Sequence, residues 1–360
     1  MQISRLRYTW AAAAIGIGIA IWVSAASSAA QNTSGERPPT PATQTTPAWA
    51  YPLDPPGVKF TPMSSAIPAD QRVPGANDDT PIHLPGAEIA LSLNQVHHGA
   101  DWHPNDHPAM PEIVANGRKP EVMGCSLCHI PNGQGRPESA RLAGLPAAYM
   151  AEQMADFKNG QRKSAEPRSV PPTLMVDIAK AVTDDEIKTA VQYFSSLTYK
   201  PWIRVVESAT APKTRLAGGI LIPAEPLAME PLGNRIIEVP ESVERTALHD
   251  SESGFVAYVP IGSIKKGEQL VTTGGDKVVG GRIVAGKTIR CAVCHGADLK
   301  GLGNVPGITG ASASYTARQL YDFQHGTRTG PDAELMKPVV ANLTEEDLVS
   351  IVAYVASRTP

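Results

Sequence analysis

Residues 125–129 read Cys-Ser-Leu-Cys-His, and residues 291–295 read Cys-Ala-Val-Cys-His. Together they hold all four cysteines of the 360-residue chain. The pattern C-x-x-C-H is typical of covalent haem attachment, because two thiols at this spacing reach the two vinyl groups of a porphyrin and the histidine then lies under the iron. A single copy would also suit a redox dithiol or half of a zinc site. Two copies predict two covalently bound haem c groups, attached at Cys125, Cys128, Cys291 and Cys294, with His129 and His295 as iron ligands.

The two motifs belong to an internal repeat. At an offset of 166 positions (291 − 125), at least ten residue pairs are identical, which predicts two copies of one domain. Beyond Arg162 the offset becomes 161, so the first copy has five extra residues before Met175. They fall in the polar, proline-containing segment 163–172, which is predicted to be a loop. The pairs outside the motifs are Gly135/Gly301, Gly144/Gly310, Tyr149/Tyr315, Gln153/Gln319, Phe157/Phe323, Gly160/Gly326 and Arg162/Arg328, and then Met175/Met336, Thr183/Thr344 and Tyr193/Tyr354.

Both copies are predicted to be helical. Tyr149 and Phe157 lie eight residues apart, so they share a helix face, and the equivalent pair of the second copy does the same. The last helix of each copy starts at Thr183 or Thr344, followed by acidic residues that suit a helix N-terminus. The predicted fold is mainly α, with two repeated domains joined by a linker that contains short β-strands. The predicted organisation is a signal peptide at 1–30, a proline-rich N-terminal arm at 31–95, a first domain at 96–200, a linker at 201–257 and a second domain at 258–360.

The N-terminus predicts export. Arg5 and Arg7 precede an apolar run at 10–26, and small residues follow at 28–30, which is the order of a secretory signal peptide cleaved near Ala30. The alternative is an uncleaved membrane anchor, since a spanning helix needs roughly 17–25 residues. We therefore expect a periplasmic protein with no integral membrane span after signal removal. The net charge of −3 and the lack of a basic stripe exclude nucleic acid as a partner.

The repeat also nominates a second axial ligand for each iron. Met175 and Met336 both lie eight residues before the threonine that starts the last helix. Met150 and Met154 are not kept in the second copy, where the equivalent residues are threonine and leucine. A methionine opposite the histidine raises the reduction potential. It also fills both axial positions of the iron, which favours electron transfer over binding of oxygen or peroxide.

Both copies resemble class I cytochromes c, which carry C-x-x-C-H early and an axial methionine late. Their tandem arrangement is similar to the periplasmic dihaem family called cytochrome c-four. The run G-x-x-x-x-Y-x-x-x-Q-x-x-x-F-x-x-G-x-R, at 144–162 and 310–328, is typical of that family. The resemblance covers about 200 of the 360 residues. The long linker and the proline-rich arm are not typical of the family, and they favour docking to a dedicated partner.

Four further residues are candidate haem-binding residues. Arg162 and Arg328 suit haem propionates, because guanidinium pairs well with carboxylates; the alternative is a surface arginine at a helix end. Tyr149 and Tyr315 are predicted to pack near the haems, and core packing alone would also explain them.

A histidine-rich segment precedes the first motif, with His97, His98, His103 and His107. Prolines at 104 and 108 break any helix that would align the last two. We interpret the segment as a polar loop near the first haem. A zinc or copper site, a substrate site, and replacement of Met175 as the iron ligand remain alternatives.

The sequence therefore predicts a dihaem electron carrier. Its expected partners are redox proteins: a dehydrogenase or a quinol-oxidising complex, which would be membrane-bound, as donor, and a terminal acceptor. The alternatives are a dihaem enzyme, peroxidase-like or thiosulfate-oxidising, and the cytochrome subunit of a dehydrogenase. We expect the proline-rich arm and the histidine segment to wrap the first haem, and the second haem edge to be more open. The first haem should then have the higher potential.

Overall fold

The computed structural model describes residues 46–58 and 79–360. The predicted signal peptide and much of the predicted arm lie outside these residues. Within the described ranges, no helix is both long and apolar enough to cross a bilayer. The α-helices are α1 (Leu93–Val96), α2 (Glu112–Ala115), α3 (Ser126–His129), α4 (Ala147–Lys158), α5 (Val170–Ala181), α6 (Asp184–Ser196), α7 (Val243–Ala247), α8 (Ser263–Thr273), α9 (Ala292–His295), α10 (Ala313–Gln324), α11 (Lys337–Val340) and α12 (Glu345–Ser357), with a 3-10 helix at Asp332–Met336.

Short strands connect and flank the helices. They are β1 (Ile82–His83), β2 (Ala90–Leu91), β3 (Gly117–Arg118), β4 (Val122–Met123), β5 (Ile203–Glu207), β6 (Thr210–Pro212), β7 (Thr214–Ala217), β8 (Ile220–Pro223), β9 (Met229–Pro231), β10 (Ile237–Pro240), β11 (Phe255–Val259), β12 (Lys277–Val279), β13 (Arg282–Val284), β14 (Gly301–Leu302) and β15 (Val305–Pro306).

The helices of the two copies share their bounds. α3 and α9 begin and end 166 positions apart, and so do α4 and α10. α6 and α12 are 161 positions apart at both ends. In each copy the C-x-x-C-H turn is followed by a 12-residue helix and closed by a 13-residue helix. This order of elements matches the mainly α class predicted from the sequence.

The last helix of each copy starts with the predicted cap. In α12 the Thr344 hydroxyl accepts from the Asp347 backbone N–H, and the Asp347 carboxylate accepts from the Thr344 backbone N–H. α6 repeats this arrangement with Thr183 and Glu186. Asp347 is almost completely buried and also pairs with Lys287 and Lys266, at 2.7 and 3.0 Å. These lysines and the cap hold the pKa of Asp347 well below its usual value, although burial alone would raise it.

Asp347→Asn is expected to lower the free energy of unfolding by about 1–3 kcal/mol at pH 7, because it removes two ion pairs and half of a capping box. Since the folded-state pKa is depressed, the stabilisation exists above the unfolded pKa of about 3.9 and is lost as pH falls. Urea unfolding from pH 7 to pH 3 should therefore show the two curves converging at acid pH. Asp184→Asn, an exposed first-turn control in α6, should stay within about 0.5 kcal/mol; an equal loss in both variants would contradict the account.

The linker forms a sheet of its own. β11 pairs in parallel with β5 and antiparallel with β10, which confirms that the linker contains short strands. β11 continues two residues past the predicted boundary at 257. Ile237, Val239 and Val259 from this sheet join the core of the second copy. The linker is therefore packed structure rather than a free tether.

Residues 46–51 of the arm pack on the second copy, whereas the sequence predicted that the arm wraps the first copy. Trp49 and Tyr51 pack edge-on against Tyr321 of α10, with ring centroids 6.5 and 6.2 Å apart. The Tyr51 hydroxyl donates to Asp322 at 2.8 Å. The position equivalent to Tyr321 in the first copy is Ala155, which offers no comparable aromatic surface. The prediction was wrong for residues 46–51, because the larger apolar face lies in the second copy.

The extra residues of the first copy extend a helix. The segment from 163 to 172 was predicted to be a loop, but α5 already begins at Val170, with Pro171 and Pro172 in its first turn. Proline is tolerated there because the first helical N–H groups have no partner to lose. Met175 consequently lies inside a regular helix, whereas Met336 ends a 3-10 helix.

Candidate haem-binding site

One cavity of about 1260 Å³ runs between the two copies. This volume exceeds the 300–1,000 Å³ of an ordinary small-molecule pocket. Its lining combines apolar side chains with a few polar groups. All twelve residues predicted to hold the haems line it, namely Cys125, Cys128, His129, Tyr149, Arg162, Met175, Cys291, Cys294, His295, Tyr315, Arg328 and Met336.

The two motif histidines are held in the same way. His129 Nδ1 lies 2.7 Å from the Ala140 carbonyl oxygen, and His295 Nδ1 lies 2.8 Å from the Pro306 carbonyl oxygen. A carbonyl oxygen only accepts, so Nδ1 must carry the proton and Nε2 keeps its lone pair. Burial lowers the pKa of both rings, which favours the neutral form that ligates metals. Each imidazole is thus oriented before an iron arrives.

The motif thiols lie in a desolvated environment. Burial raises the pKa of Cys125 to about 12 and those of Cys128 and Cys291 to about 11. A redox dithiol needs the opposite shift, since the thiolate is the reactive form. No group of three or more His, Cys, Asp or Glu residues in 46–58 and 79–360 is arranged to hold a metal ion. The raised thiol pKa values disfavour the redox dithiol alternative, whereas neutral thioether bonds suit an apolar cavity.

The candidate methionine ligands both reach the cavity. Both are half-buried and line the cavity, Met175 from α5 and Met336 from the 3-10 helix. Met123, Met150 and Met154 also line the cavity on the first-copy side. The placement therefore agrees with Met175 and Met336 as ligands and leaves their assignment a prediction.

The two repeat arginines meet each other at the junction of the copies. Residues Arg162 and Arg328 form an isolated antiparallel β-bridge, and both side chains are buried. Each guanidinium lies over the phenylalanine five positions earlier in its own copy, at 4.6 and 4.1 Å from the ring centroid. The alternative of surface arginines at helix ends is therefore ruled out, because the junction buries both side chains.

Glutamine side chains connect the arginines across the junction. Gln153 Oε1 accepts from Arg162 at 2.8 Å and from Arg328 at 2.7 Å. Gln319 Oε1 accepts from the same two arginines at 3.0 and 3.1 Å. Arg162 also donates to the Tyr315 hydroxyl at 2.9 Å. The tyrosine is therefore part of this polar network and does more than fill the core.

The arginines provide a test of whether the cavity suits haem. Buried cations need anionic partners, and within 46–58 and 79–360 no carboxylate lies within 4 Å of either guanidinium. Burial and the neighbouring charge of Arg162 lower the pKa of Arg328. Asp156 and Asp322 are the nearby acids, and burial raises their pKa while the arginines lower it. Two buried guanidiniums at the edge of a large apolar cavity fit the propionates that a haem would bring.

Sequence reasoning missed the second pair of this junction. Asp156 and Asp322 are also identical at offset 166, and the repeat could have nominated them. Ala165 N–H donates to Asp322 at 2.7 Å. On the other side, a Cβ added to Gly330 would clash with the Asp156 carboxylate, so this side chain would have to move. Each aspartate contacts a residue of the other copy, so the role of the pair at the junction is visible only in the structure.

The histidine segment does not gather into a metal site. His103 Nε2 lies 3.0 Å from Asp250, and His107 Nε2 lies 3.1 Å from Asp101. His98 contacts the backbone of Asn94. Trp102, in the same segment, donates its indole N–H to the Leu248 carbonyl at 2.7 Å. The segment thus packs onto the linker through Trp102 and His103.

Together the linker and this loop cover the edge of the cavity at Cys125 and Cys128, which we call the first thioether edge. Leu216, Gly219, Ala247 and His249 from the linker, and His97 from the loop, all line the cavity. His249 lies in the left-handed region (φ 57°), and burial lowers its pKa well below the usual value. This cover is the role of the linker that the sequence did not reveal.

The corresponding edge at Cys291 and Cys294, the second thioether edge, has no such cover in the described residues. Positions that are buried or half-buried in the first copy are open in the second. Leu127 corresponds to Val293, which is 60% exposed, and buried Arg136 corresponds to Leu302, which is 61% exposed. Cys128 is half-buried, whereas Cys294 is exposed. The structure therefore gives the second copy the more open edge.

Comparisons with known proteins agree with this geometry. Residues 264–359 match the cytochrome c protein family. Cytochrome c4 from Stutzerimonas stutzeri is 30% identical over 244 residues, which are 65% of this chain and 84% of that protein. The chain belongs to the cytochrome c4 family. As a cytochrome c4 relative it carries covalently bound haem c and functions in electron transfer.

Two further comparisons concern other cytochromes. A protein of Thiomonas intermedia (strain K12), described as a thiosulfate dehydrogenase electron acceptor, is 25% identical over 242 residues, 66% of this chain and 80% of that protein. The crystal structure of reduced recombinant cytochrome c4 from Pseudomonas stutzeri is 22% identical, with a TM-score of 0.40 over 65% of this chain and 93% of that chain.

Proposed function

We propose that this cytochrome c4 relative is a periplasmic carrier with two haems, each bound by one copy of the repeat. The observation that carries the proposal is the single cavity lined by two matched sets of two cysteines, one histidine and one methionine. The apolar run near the N-terminus supports export to the compartment where such proteins work. The domain boundaries predicted from the sequence are part of this proposal.

Each chain residue has a distinct task in the proposed carrier. Cys125 and Cys128, like Cys291 and Cys294 in the second copy, would form the thioether bonds that hold the group in the cavity. His129 and His295 present Nε2 because their Nδ1 atoms are bonded to backbone carbonyls. When bound, haem iron supplies one-electron redox chemistry. The apolar lining excludes water, which would keep reorganisation around the group small when its charge changes.

The junction residues provide contact between the two sites. Arg162 and Arg328 share Gln153 and Gln319 and face the same cavity from opposite copies. We propose that they bind propionates, with Tyr315 and its counterpart Tyr149 holding the guanidiniums in place. One network then touches both haems, which suits passage of an electron between them within one chain.

A dehydrogenase is the donor class that the comparisons favour. The Thiomonas relative is described as an acceptor of electrons from thiosulfate dehydrogenase. We propose a donor of the dehydrogenase type for this chain as well, and a second redox protein as acceptor. A peroxidase-like or thiosulfate-oxidising enzyme would need an open iron. The methionine at the same repeat position in both copies, Met175 and Met336, supports the carrier instead.

The holoprotein should contain two covalent haems. After acid-acetone extraction, the intact mass should exceed that of the polypeptide by two haem groups, because thioether bonds survive this treatment and coordination bonds do not. The same spectrum reports the signal peptide, since cleavage near Ala30 removes the corresponding mass. Haem released into the solvent, or a mass of bare polypeptide, would overturn the proposal.

A further inference from the structure

A β-hairpin stands beside the second haem site. β12 pairs with β13 so that Val278 faces Ile283 on one side of the ribbon, while Lys277, Val279, Arg282 and Val284 share the other. Val278 and Ile283 are 75% and 77% exposed. The Gly280-Gly281 tip has nothing within 4 Å of an added Cβ. The hairpin therefore projects from the body with its most apolar pair uncovered.

The base of the hairpin is tied to the haem-binding segment. Gly286 N–H donates to the Asp276 carboxylate at 2.7 Å, and Thr288 N–H donates to the Gly274 carbonyl at 3.2 Å. Cys291 follows three residues later, and its N–H donates to Val271 at 3.0 Å. Ile289 and Leu335 line the cavity and are 46% and 68% exposed, so the cavity opens beside this base.

The first copy also has a short hairpin before its C-x-x-C-H motif, formed by β3 and β4, but its side chains contact its own domain. Val122 of β4 is buried at 1% exposure. Arg118 of β3 pairs with Glu186 at 2.8 Å and donates to the Ala181 carbonyl. That hairpin is thus fixed against its own domain. The contrast indicates that the second hairpin has a surface left for something outside the chain.

The charge around the second hairpin is positive. From 276 to 306 there are five basic residues and two acidic ones, although the whole chain has a net charge of −3. Lys277, Arg282 and Arg290 are exposed, and no carboxylate within the described ranges lies within 4 Å of them. An apolar centre with a cationic rim is complementary to an apolar patch with an acidic rim.

We propose that the β12–β13 hairpin, with Arg290 and the open edge at Ile289 and Leu335, docks a redox protein whose own cofactor edge is surrounded by acidic residues. This inference rests on the proposed function as an electron carrier. One electron passes between the partner's cofactor and the iron of the second haem, and no bond forms or breaks. The linker leaves no equivalent access to the first haem. Cations steer the acidic partner to this face, and Val278 and Ile283 fill its apolar patch.

The proposal is tested with the full holoprotein and a reduced, acidic plant-type ferredoxin, whose potential near about −400 mV makes it a donor. Stopped-flow reduction at low salt should slow at least tenfold in Lys277→Glu/Arg282→Glu, with a weaker salt dependence. Val278→Ser/Ile283→Ser should slow it severalfold and keep the salt dependence. Lys119→Glu, at the tip of the first-copy hairpin, and Leu227→Asn, which replaces a leucine that is 97% exposed, should stay within twofold of wild type.

Several outcomes would overturn the docking proposal. The first is a ferredoxin reduction rate within twofold of wild type in both hairpin variants. The second is a hairpin variant that no longer binds phosphatidylglycerol vesicles but keeps the wild-type ferredoxin rate. The third is a wild-type dimer in gel filtration that becomes a monomer in Val278→Ser/Ile283→Ser. Dithionite reduction and a haem count of each variant show whether both haems are present and can be reduced. They therefore separate a failure of the docking proposal from a failure of the carrier function. A wild type that dithionite reduces and ferredoxin does not would contradict docking alone.

Discussion

Met336→Ala is expected to open one of the two haem irons. The thioether is the proposed sixth ligand of the second haem, and alanine has no donor atom to replace it. The reduced variant should bind carbon monoxide at half of its haem, and one of its two redox waves should fall by on the order of 100 mV or more, because axial ligands set haem potentials over about 0.8 V. Optical spectra and a redox titration would measure both effects.

Two variants serve as controls for this result. Met175→Ala should open the other haem and move the other wave, which assigns each potential to its site. Our expectation is that the higher wave belongs to the first haem, whose edge the linker covers. Met154→Ala removes a methionine that lines the cavity without a repeat partner, and it should leave both irons closed. Carbon monoxide binding in Met154→Ala, or none in Met336→Ala, would show that the ligand assignment is wrong.

Cys291→Ser/Cys294→Ser should remove one covalent haem from the holoprotein. Without thioether bonds the second group is held by coordination alone, so acid-acetone extraction should leave one haem on the polypeptide. The second copy would also lose the group that fills its part of the cavity. Its thermal transition should fall by roughly 10 °C or more, since each kcal/mol shifts the Tm of a domain of 60–100 residues by about 4–8 °C.

Val293→Ser is the matched control, because this residue lies between the two cysteines and is 60% exposed. It should keep both haems and the wild-type transition. Intact mass and differential scanning calorimetry would compare the variants. Two haems retained in the double serine variant would mean that Cys291 and Cys294 are not attachment residues, and loss of haem in Val293→Ser would point to a folding defect instead.

The repeated motifs carried most of the prediction of the candidate site. Two cysteines, a histidine and a methionine can be recognised from spacing because each acts within its own copy. The helix starts at Thr183 and Thr344 were equally visible, since a capping box is a local pattern of hydroxyl and carboxylate. Features that depend only on residues close together in the sequence could therefore be predicted.

Contacts between distant segments were not accessible in this way. Arg162 and Arg328 were nominated by the repeat, but their bridge joins positions 166 apart, and no local pattern shows which copy supplies their partners. Trp49 and Tyr51 pack on the second copy because Tyr321 stands where the first copy has Ala155. The linker cover over the first thioether edge depends on Leu248 meeting Trp102 across the chain. These are consequences of packing surfaces, which a single sequence does not display.

The most direct test of the central claim is the optical difference spectrum of the dithionite-reduced wild-type holoprotein with and without carbon monoxide. Two haems that each have a histidine and a methionine leave no position for the gas, so the account predicts no carbon monoxide band at neutral pH. A band equivalent to one of the two haems would show an open iron, and it would contradict the carrier in favour of a dihaem enzyme.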